Sequence, residues 1–323
     1  MYRQEHEFWA IGLRRTRLHI ELAQISKMIP ILKTWIYRAG LSLAPTILFQ
    51  AQHWRMHRRF GSHTYWANLR DPKTFTEKLL RSKLDGEHAA LACLVDKAEV
   101  KDWVAERIGK THVIPTLGVF NTAEVVPLSE LPRPCIIKPT HSSGHVIILR
   151  GFGFDPSPKE AKRRMHQWLR INHFCLTGEP QYKTILPRII CEPLLGDAGD
   201  DLPDYKIFCF RGSPMFIQVD LDRHTQHVRR YYDIDWNPQN FTMRYPLAER
   251  EIPRPANLEK MLEIARVLAL DFAFVRVDLY SVNGDVYFGE LTFHPESGTA
   301  PLSDYATDLA LGGLLPGRGL VAS

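Results

Sequence analysis

The absences in this sequence narrow its chemistry first. Cysteine is sparse: Cys93, Cys135, Cys175, Cys191 and Cys209 are the five among 323 residues. They are scattered, odd in number and never spaced C-x-x-C. That pattern speaks against a disulfide framework and a structural zinc site, and for buried thiols in a reducing cytoplasm. No long apolar run is free of charge. The stretch IPILKTWIYRAGLSLAPTILF, residues 29–49, carries Lys33 and Arg38, and a charge near the middle of a span costs about 3 kcal/mol. No transmembrane helix is expected. The opening MYRQEHEFWAIGLRRTRLHIELAQ lacks the layout of a signal peptide. Strong charge of one sign is missing too: 41 Lys and Arg stand against 36 Asp and Glu, a net charge of +5. So mild an excess fits an anionic ligand or surface. Without a finger or RNP-like motif it gives no case for nucleic acid. There is no Walker A loop and no G-x-S-x-G elbow, and the lone cysteines lack an evident partner base.

What is present is an ordinary globular composition, 45% hydrophobic and 24% charged. The length suits two domains or one large body. Residues 1–50 read as helical, with breaks at Pro30 and Pro45. Basic residues interleaved with Trp9, Trp35 and Tyr37 make them a candidate interfacial helix, in peripheral contact with a membrane, or a helical extension packed on the body. Residues 51–70 resist assignment. A helix is expected after Asp71-Pro72, and another over 91–108 closed by Gly109. Residues 134–150 read as a hairpin across a Ser-Ser-Gly loop, and 158–175 as a basic helix. DYKIFCFRGSPMFIQVD reads as a hairpin across Arg211-Gly212. In NLEKMLEIARVLALDF, Leu258, Met261, Leu262, Ile264, Ala265 and Leu268 fit the helical period. Hairpins interrupted by helices predict an α+β, antiparallel-rich body. The expected divisions are 1–50, 51–130, 131–195 and 196–323.

The chemistry concentrates in FVRVDLYSVNGDVYFGELTFHP, residues 274–295. Val275, Val277 and Leu279 alternate with Arg276, Asp278 and Tyr280, so one strand face is apolar and the other presents a cation and an anion. Glu290 lies in the partner strand. Two carboxylates on facing strands suit Mg²⁺, which prefers oxygen ligands and keeps several for phosphate. A solvated surface hairpin is the other reading. A strict two-residue Asn283-Gly284 turn would set Asp278 opposite Gly289 and turn Glu290 to the wrong face, so a bulge or longer loop must intervene if both bind one metal. In IIKPTHSSGHV, Lys138 leaves a strand ahead of Ser142, Ser143 and Gly144, whose small side chains let backbone N–H groups approach phosphate. Lys206, in an apolar strand, either snorkels at an edge or meets a phosphate. Lys101 is read as a solvated helix charge. Asp222, Arg223, Arg229 and Arg230 read as an anion site or as an exposed basic loop. Neither Asp200-Asp201 nor Asp220-Leu221-Asp222 has the strand-end setting of a glycosyltransferase metal motif.

Taken in order, DPKTFTEK, DKAEVKDWVAERIG, IIKPTHSSGHV, EPLL, DYKIFCFRG, RVDLY and YFGELTFHPESG resemble the TupA-like branch of the ATP-grasp superfamily, over about 71–301. The resemblance implies an ATP-grasp fold: two α+β lobes clamping ATP, here with an N-terminal helical extension. It implies that Lys97 and Lys138 contact nucleotide phosphates, that Ser142, Ser143 and Gly144 close over them, and that Glu192 binds ribose. Lys206 and Arg276 would hold transferring phosphates and act as the catalytic cations. Asp278 and Glu290 would ligate one or two Mg²⁺ ions. Where most ATP-grasp ligases carry asparagine, Thr292 takes the second metal position. The loop with Ser297 and Gly298 would contact the acceptor, with Arg223 and Arg230 on an anionic substrate. The implied reaction joins a carboxylate to an amine through an acyl phosphate. The implied substrates are an acidic sugar or polymer and an amine donor, in the cytoplasm or at the inner face of the membrane. The rivals are a kinase of a sugar hydroxyl and a non-catalytic nucleotide-binding assembly protein.

Overall fold

The computed structural model describes residues 37–61, 63–151, 153, 155–196, 202–221, 227–317 and 319–320. The chain divides into two compact units, Met1–Leu48 and Phe49–Ser323. Of the basic extension read over 1–50, residues 1–36 lie outside the described residues, residues 37–43 are helical, and the helix Pro45–Phe60 begins within it. Among the described residues no helix is long and apolar enough to cross a membrane.

The second unit is built on two antiparallel sheets. The four-stranded sheet has the order β1-β4-β2-β3, with β1 Gly118–Phe120, β2 Cys135–Pro139, β3 Ile147–Leu149 and β4 Ile189–Pro193. The six-stranded sheet runs β10-β9-β5-β6-β7-β8. Its strands are β5 Asp204–Phe210, β6 Ser213–Leu221, β7 Val228–Asp233, β8 Pro238–Gln239, β9 Phe274–Val282 and β10 Asp285–Thr292. Because β1 pairs with β4, the smaller sheet draws in residues upstream of 131.

Local signals set the helices. Thr74 and Glu77 form a reciprocal capping box at the start of Phe75–Asp85, satisfying two otherwise orphaned N–H groups. Ser157 caps Pro158–Leu169, with proline in the first turn. The expected helix over 91–108 is divided. Ala92–Val95 stops at Asp96, whose carboxylate accepts from the N–H of Ala98 at 2.8 Å and of Glu99 at 3.1 Å, and Val100–Ile108 follows. An acidic side chain that competes for backbone donors favours such a break, which helical periodicity alone does not register. The unassigned stretch after residue 50 continues the helix Pro45–Phe60.

The six-stranded sheet is covered on both faces. On one, Ile207, Ile217, Val219, Val275, Val277 and Leu279 pack against the helix Leu258–Ala269 in the largest core. The opposite face is split along its strands. Phe208, Phe210, Phe216, Tyr231 and Phe274 form an aromatic half under the helices Phe75–Asp85 and Tyr305–Gly313. The other half of this face carries the charged residues described below.

A pair of buried histidines reports on this packing. His53 and His57, one turn apart on Pro45–Phe60, stack at 3.9 Å. Burial first, then neighbouring imidazoles, lowers His53 to about 3 and His57 to about 4. Below pH 6.5 the unfolded chain therefore takes up protons that the folded chain refuses, and stability falls with pH. The loss is roughly 1.4 kcal/mol per pH unit for each such group. The melting temperature is expected to drop by several degrees from pH 7 to pH 5, with a shallower slope in His57→Phe. A flat profile, or an unchanged slope in the variant, would overturn the assignment.

Candidate active site

Strand register brings the hairpin carboxylates together. Asn283, at φ 53°, and Gly284, at φ 89°, make the two-residue turn, and Asp285 pairs with Val282. Pairing then slips between Phe288 and Glu290, so Glu290 rather than Gly289 stands opposite Asp278. The extra residue is Gly289, where a Cβ would lie 3.0 Å from the Asp278 carbonyl oxygen. The bulge reverses the facing of the strand. Val286 and Phe288 before it and Leu291 and Phe293 after it all join the core, while Glu290 and Thr292 line a cavity of about 930 Å³.

A row of charges crosses the sheet on this face. Arg276 donates to both Asp278 oxygens, at 2.7 and 2.6 Å, and to the Thr292 hydroxyl at 3.0 Å, with Glu290 3.4 Å away. Thr292 in turn donates to Glu290 at 3.1 Å. Lys206 lies 3.1 Å from Asp278, bonds Asp204, and stands 3.9 Å from Asp220. Burial raises the Asp278 carboxyl, and Arg276 and Lys206 offset this in part. Burial also opposes ionisation of Glu290, but Lys97, Arg276 and Lys206 outweigh it and hold that carboxyl below its ordinary range.

The smaller sheet supplies the opposite wall. Cys135 and Ile137 of β2 enter its core, which leaves Ile136 and Lys138 to the cavity. Lys138 reaches Glu192 at 2.5 Å, and the other Glu192 oxygen takes Lys101 at 2.6 Å. Lys101, expected to be a solvated helix charge, also donates to the Ile114 carbonyl at 2.7 Å and lines the cavity. Burial disfavours the Glu192 anion, yet Lys138 and Lys101 hold its carboxyl below the usual value. Lys97 follows the break at Asp96, and its ammonium donates to the Ser142 carbonyl at 2.8 Å. Its pKa is lowered by burial against the pull of Glu290. Ser142, Ser143 and Gly144 line the cavity, with Gly144 at φ 77° and its Ser142 neighbour buried without a hydroxyl partner.

The substrate residues separate. Ser297 lines the cavity and donates to the buried Glu179 at 2.8 Å. Gly298, at φ 68°, packs instead against Leu79, where a Cβ would sit 3.0 Å from the Leu79 Cβ. Arg230 is not among the lining residues; it bonds the Ala248 carbonyl at 3.4 Å and lies 3.9 Å from Glu251. Strand alternation gives the cavity its neighbour Arg229. Arg223 lies outside the described residues, as do Asp222 and Asp200-Asp201. Asp204 and Arg244 were not anticipated as site residues, Asp220 was set aside with the glycosyltransferase motif, and Glu296 stands in the loop Pro295–Gly298 expected at the acceptor. For Asp204 a signal existed, two residues from Lys206 and so on the same strand face.

The donor set fits Mg²⁺ held partly by phosphate. Asp278, Glu290 and Thr292 offer hard oxygens at one point of the cavity. Among the described residues no group of three or more His, Cys, Asp or Glu side chains forms a self-sufficient metal cage.

A profile of the TupA-like ATPgrasp family matches residues 77–315. The chain belongs to this family. Its fold is the α+β ATP-grasp arrangement, with antiparallel sheets walling one cavity. Among solved structures, similarity extends to an L-amino acid ligase from Bacillus licheniformis, at 14% identity, over 69% of this chain and 46% of that one, with a TM-score of 0.38. It extends also to a D-alanine–D-alanine ligase from Bacillus anthracis, at 16% identity, over 62% and 57%, with a TM-score of 0.36. The D-alanine–D-alanine ligase from Helicobacter pylori matches at 16% identity, over 72% and 70%, with a TM-score of 0.37. The chain thus spans about half the length of the first two. No curated protein matches the chain.

Proposed function

We propose that this TupA-like ATP-grasp protein is an ATP-dependent carboxylate–amine ligase that modifies an acidic cell-surface polysaccharide or glycopeptide precursor. The observation that carries the reading is the row Lys206–Asp278–Arg276–Glu290 on the cavity floor, facing Lys97 and Lys138 across one cavity. Cations and carboxylates placed this way neutralise a transferring phosphoryl group and position it, which is most of what phosphoryl transfer asks of a protein. Ile114, Ile136 and Ile148 give the wall beside Lys101 and Lys138 an apolar surface for a nucleotide base.

In the proposed reaction a substrate carboxylate oxygen attacks the γ-phosphorus and ADP leaves. The amine nitrogen then attacks the acyl carbon of the acyl phosphate, inorganic phosphate leaves, and the amine loses a proton. Lys206 and Arg276 hold the phosphoryl oxygens, and Lys97 and Lys138 the nucleotide phosphates. Asp278, Glu290 and Thr292 would hold Mg²⁺, which would supply charge neutralisation for the phosphates. On this reading the reaction runs in the cytoplasm, with residues 1–50 a candidate contact to the inner face of the membrane.

The test compares surface polysaccharide, by mass spectrometry and NMR, from cells carrying the protein or its Glu290→Gln form. Loss of an amide-linked substituent is the expected result. Loss of a phosphate group would favour a kinase instead, and an unchanged polymer would remove the polysaccharide context.

A further inference from the structure

The row of charges continues past the phosphate end. Asp220 on β6 pairs in register with Arg229 on β7, and the Arg229 Nε donates to Asp220 at 2.8 Å. A second Arg229 nitrogen donates to one oxygen of Glu296 at 2.5 Å. The other Glu296 oxygen takes the Arg244 guanidinium. Both guanidiniums lie over the Tyr245 ring, at 4.5 and 5.0 Å. The Arg244 side chain is 32% exposed, and its Nε has no hydrogen-bond partner. Arg229, Arg244 and Glu296 all line the cavity.

The backbone here is unusual. Among the described residues six that are not glycine have positive φ, and three of them meet at this point: Arg244 at 67°, Glu296 at 51° and Ser297 at 56°. A left-handed conformation is unfavourable for such a residue and persists only where surrounding contacts impose it. The strain is gathered where one carboxylate is presented to two arginines.

We infer that Arg229 and Arg244 form an anchor for a carboxylate of the substrate, and that Glu296 is a built-in occupant which this carboxylate displaces. The inference rests on the ligase reading above and names what its substrate must carry. Two guanidiniums that each give an N–H to a different oxygen of one carboxylate match that group in charge and shape. When Glu296 leaves, Arg229 keeps its Asp220 partner, whereas the partly exposed Arg244 loses a carboxylate that an entering anion replaces. The anchor is also one residue removed from the phosphate end, since Asp220 stands between Arg229 and Lys206. It therefore holds a carboxylate other than the one activated there. Two substrates supply such a group: an acidic polymer with a neighbouring uronate, or an amino acid serving as the amine donor.

Calorimetric titration of the full chain, with Mg²⁺ and AMP-PNP present, tests this with two probes: trigalacturonate and L-glutamate, each beside its methyl ester. One acid is expected to bind, with its ester weaker by about tenfold or more. The acid that binds identifies the source. Arg244→Ala is expected to weaken it by about tenfold or more, and Arg244→Lys, which keeps the charge and loses the fork, by several-fold. Glu296→Gln is expected to tighten it by several-fold, because the competitor has lost its charge. Melting temperatures confirm folding of each variant. The anchor is overturned if neither acid binds wild type or Glu296→Gln, if the esters bind equally, or if Glu296→Gln weakens binding as Arg244→Ala does. AMP-PNP affinity, measured alongside, separates the failures. Nucleotide binding without acid binding removes the anchor alone, whereas no nucleotide binding removes the ATP-dependent reading beneath it.

Discussion

Glu290→Gln is expected to lower Mg–ATP turnover by about a hundredfold or more while the protein stays folded. Glutamine keeps the length and shape of the side chain and can still accept from Thr292 and Arg276, the two groups that hold Glu290 at 3.1 and 3.4 Å. What it removes is the negative charge opposite Asp278. Lys97, Arg276 and Lys206 all face that charge, so the variant site becomes more cationic and loses one of the two carboxylates proposed to hold Mg²⁺. The Glu290 side chain is 40% exposed at the cavity, so no buried core depends on it. Phosphate release at saturating Mg²⁺ and a thermal melt give the two readouts. Turnover at the wild-type rate would remove Glu290 from the metal site. A large fall in melting temperature would make its role structural.

Gly312→Ala is expected to cause the largest loss of stability. Gly312 lies in the helix Tyr305–Gly313, where it meets the start of Phe75–Asp85. A Cβ there would sit 2.1 Å from the Lys73 carbonyl oxygen, 2.7 Å from the Thr74 carbonyl carbon and 2.8 Å from the Phe75 nitrogen. All three are backbone atoms, so no flexible side chain can yield. The two segments are also tied by polar contacts. Asp308 accepts from the Thr76 N–H at 3.0 Å and its hydroxyl at 2.6 Å, and Lys78 donates to the Gly312 and Leu315 carbonyls, each at 2.7 Å. One methyl group must therefore separate the helices and stretch these bonds. Overpacking of this kind costs about 3 kcal/mol, or a fall of roughly 6–12 °C in a body of this size. Gly313→Ala is the control, because a Cβ there meets nothing within 4 Å. Equal melting temperatures for the two variants would mean that the helices do not meet as described.

Much of this was legible from local pattern. Strand alternation over Val275–Tyr280 separates core from site without any knowledge of the fold, because successive side chains of a strand point to opposite faces. The same rule shows that Asp278 and Glu290 share a face only through a bulge or a three-residue loop, and a bulge stands at Gly289. The helical period of Leu258–Ala269 likewise marks its buried face, with Leu258, Met261, Ile264, Ala265 and Leu268 all in the core. The ordered series of motifs leads to the family whose profile matches residues 77–315.

Other features lay beyond any local rule. Lys101 looks like an ordinary exposed helix lysine, and only the approach of β4 turns it onto Glu192. Whether Arg229 or Arg230 faces the cavity depends on the phase of β7, which the period-two pattern of β6 does not fix. Arg229, Arg244 and Glu296 come from three separated stretches and meet through two arginine–carboxylate contacts. The sequence by itself determined which residues carry charge along each strand, the course of the hairpins and of the helix Leu258–Ala269, and the family they belong to, because those properties depend on neighbours a few positions away. Only the tertiary structure decided which distant charges neutralise one another, and so where the cavity can receive a metal, a phosphate or a carboxylate, because Coulomb interaction depends on separation in space.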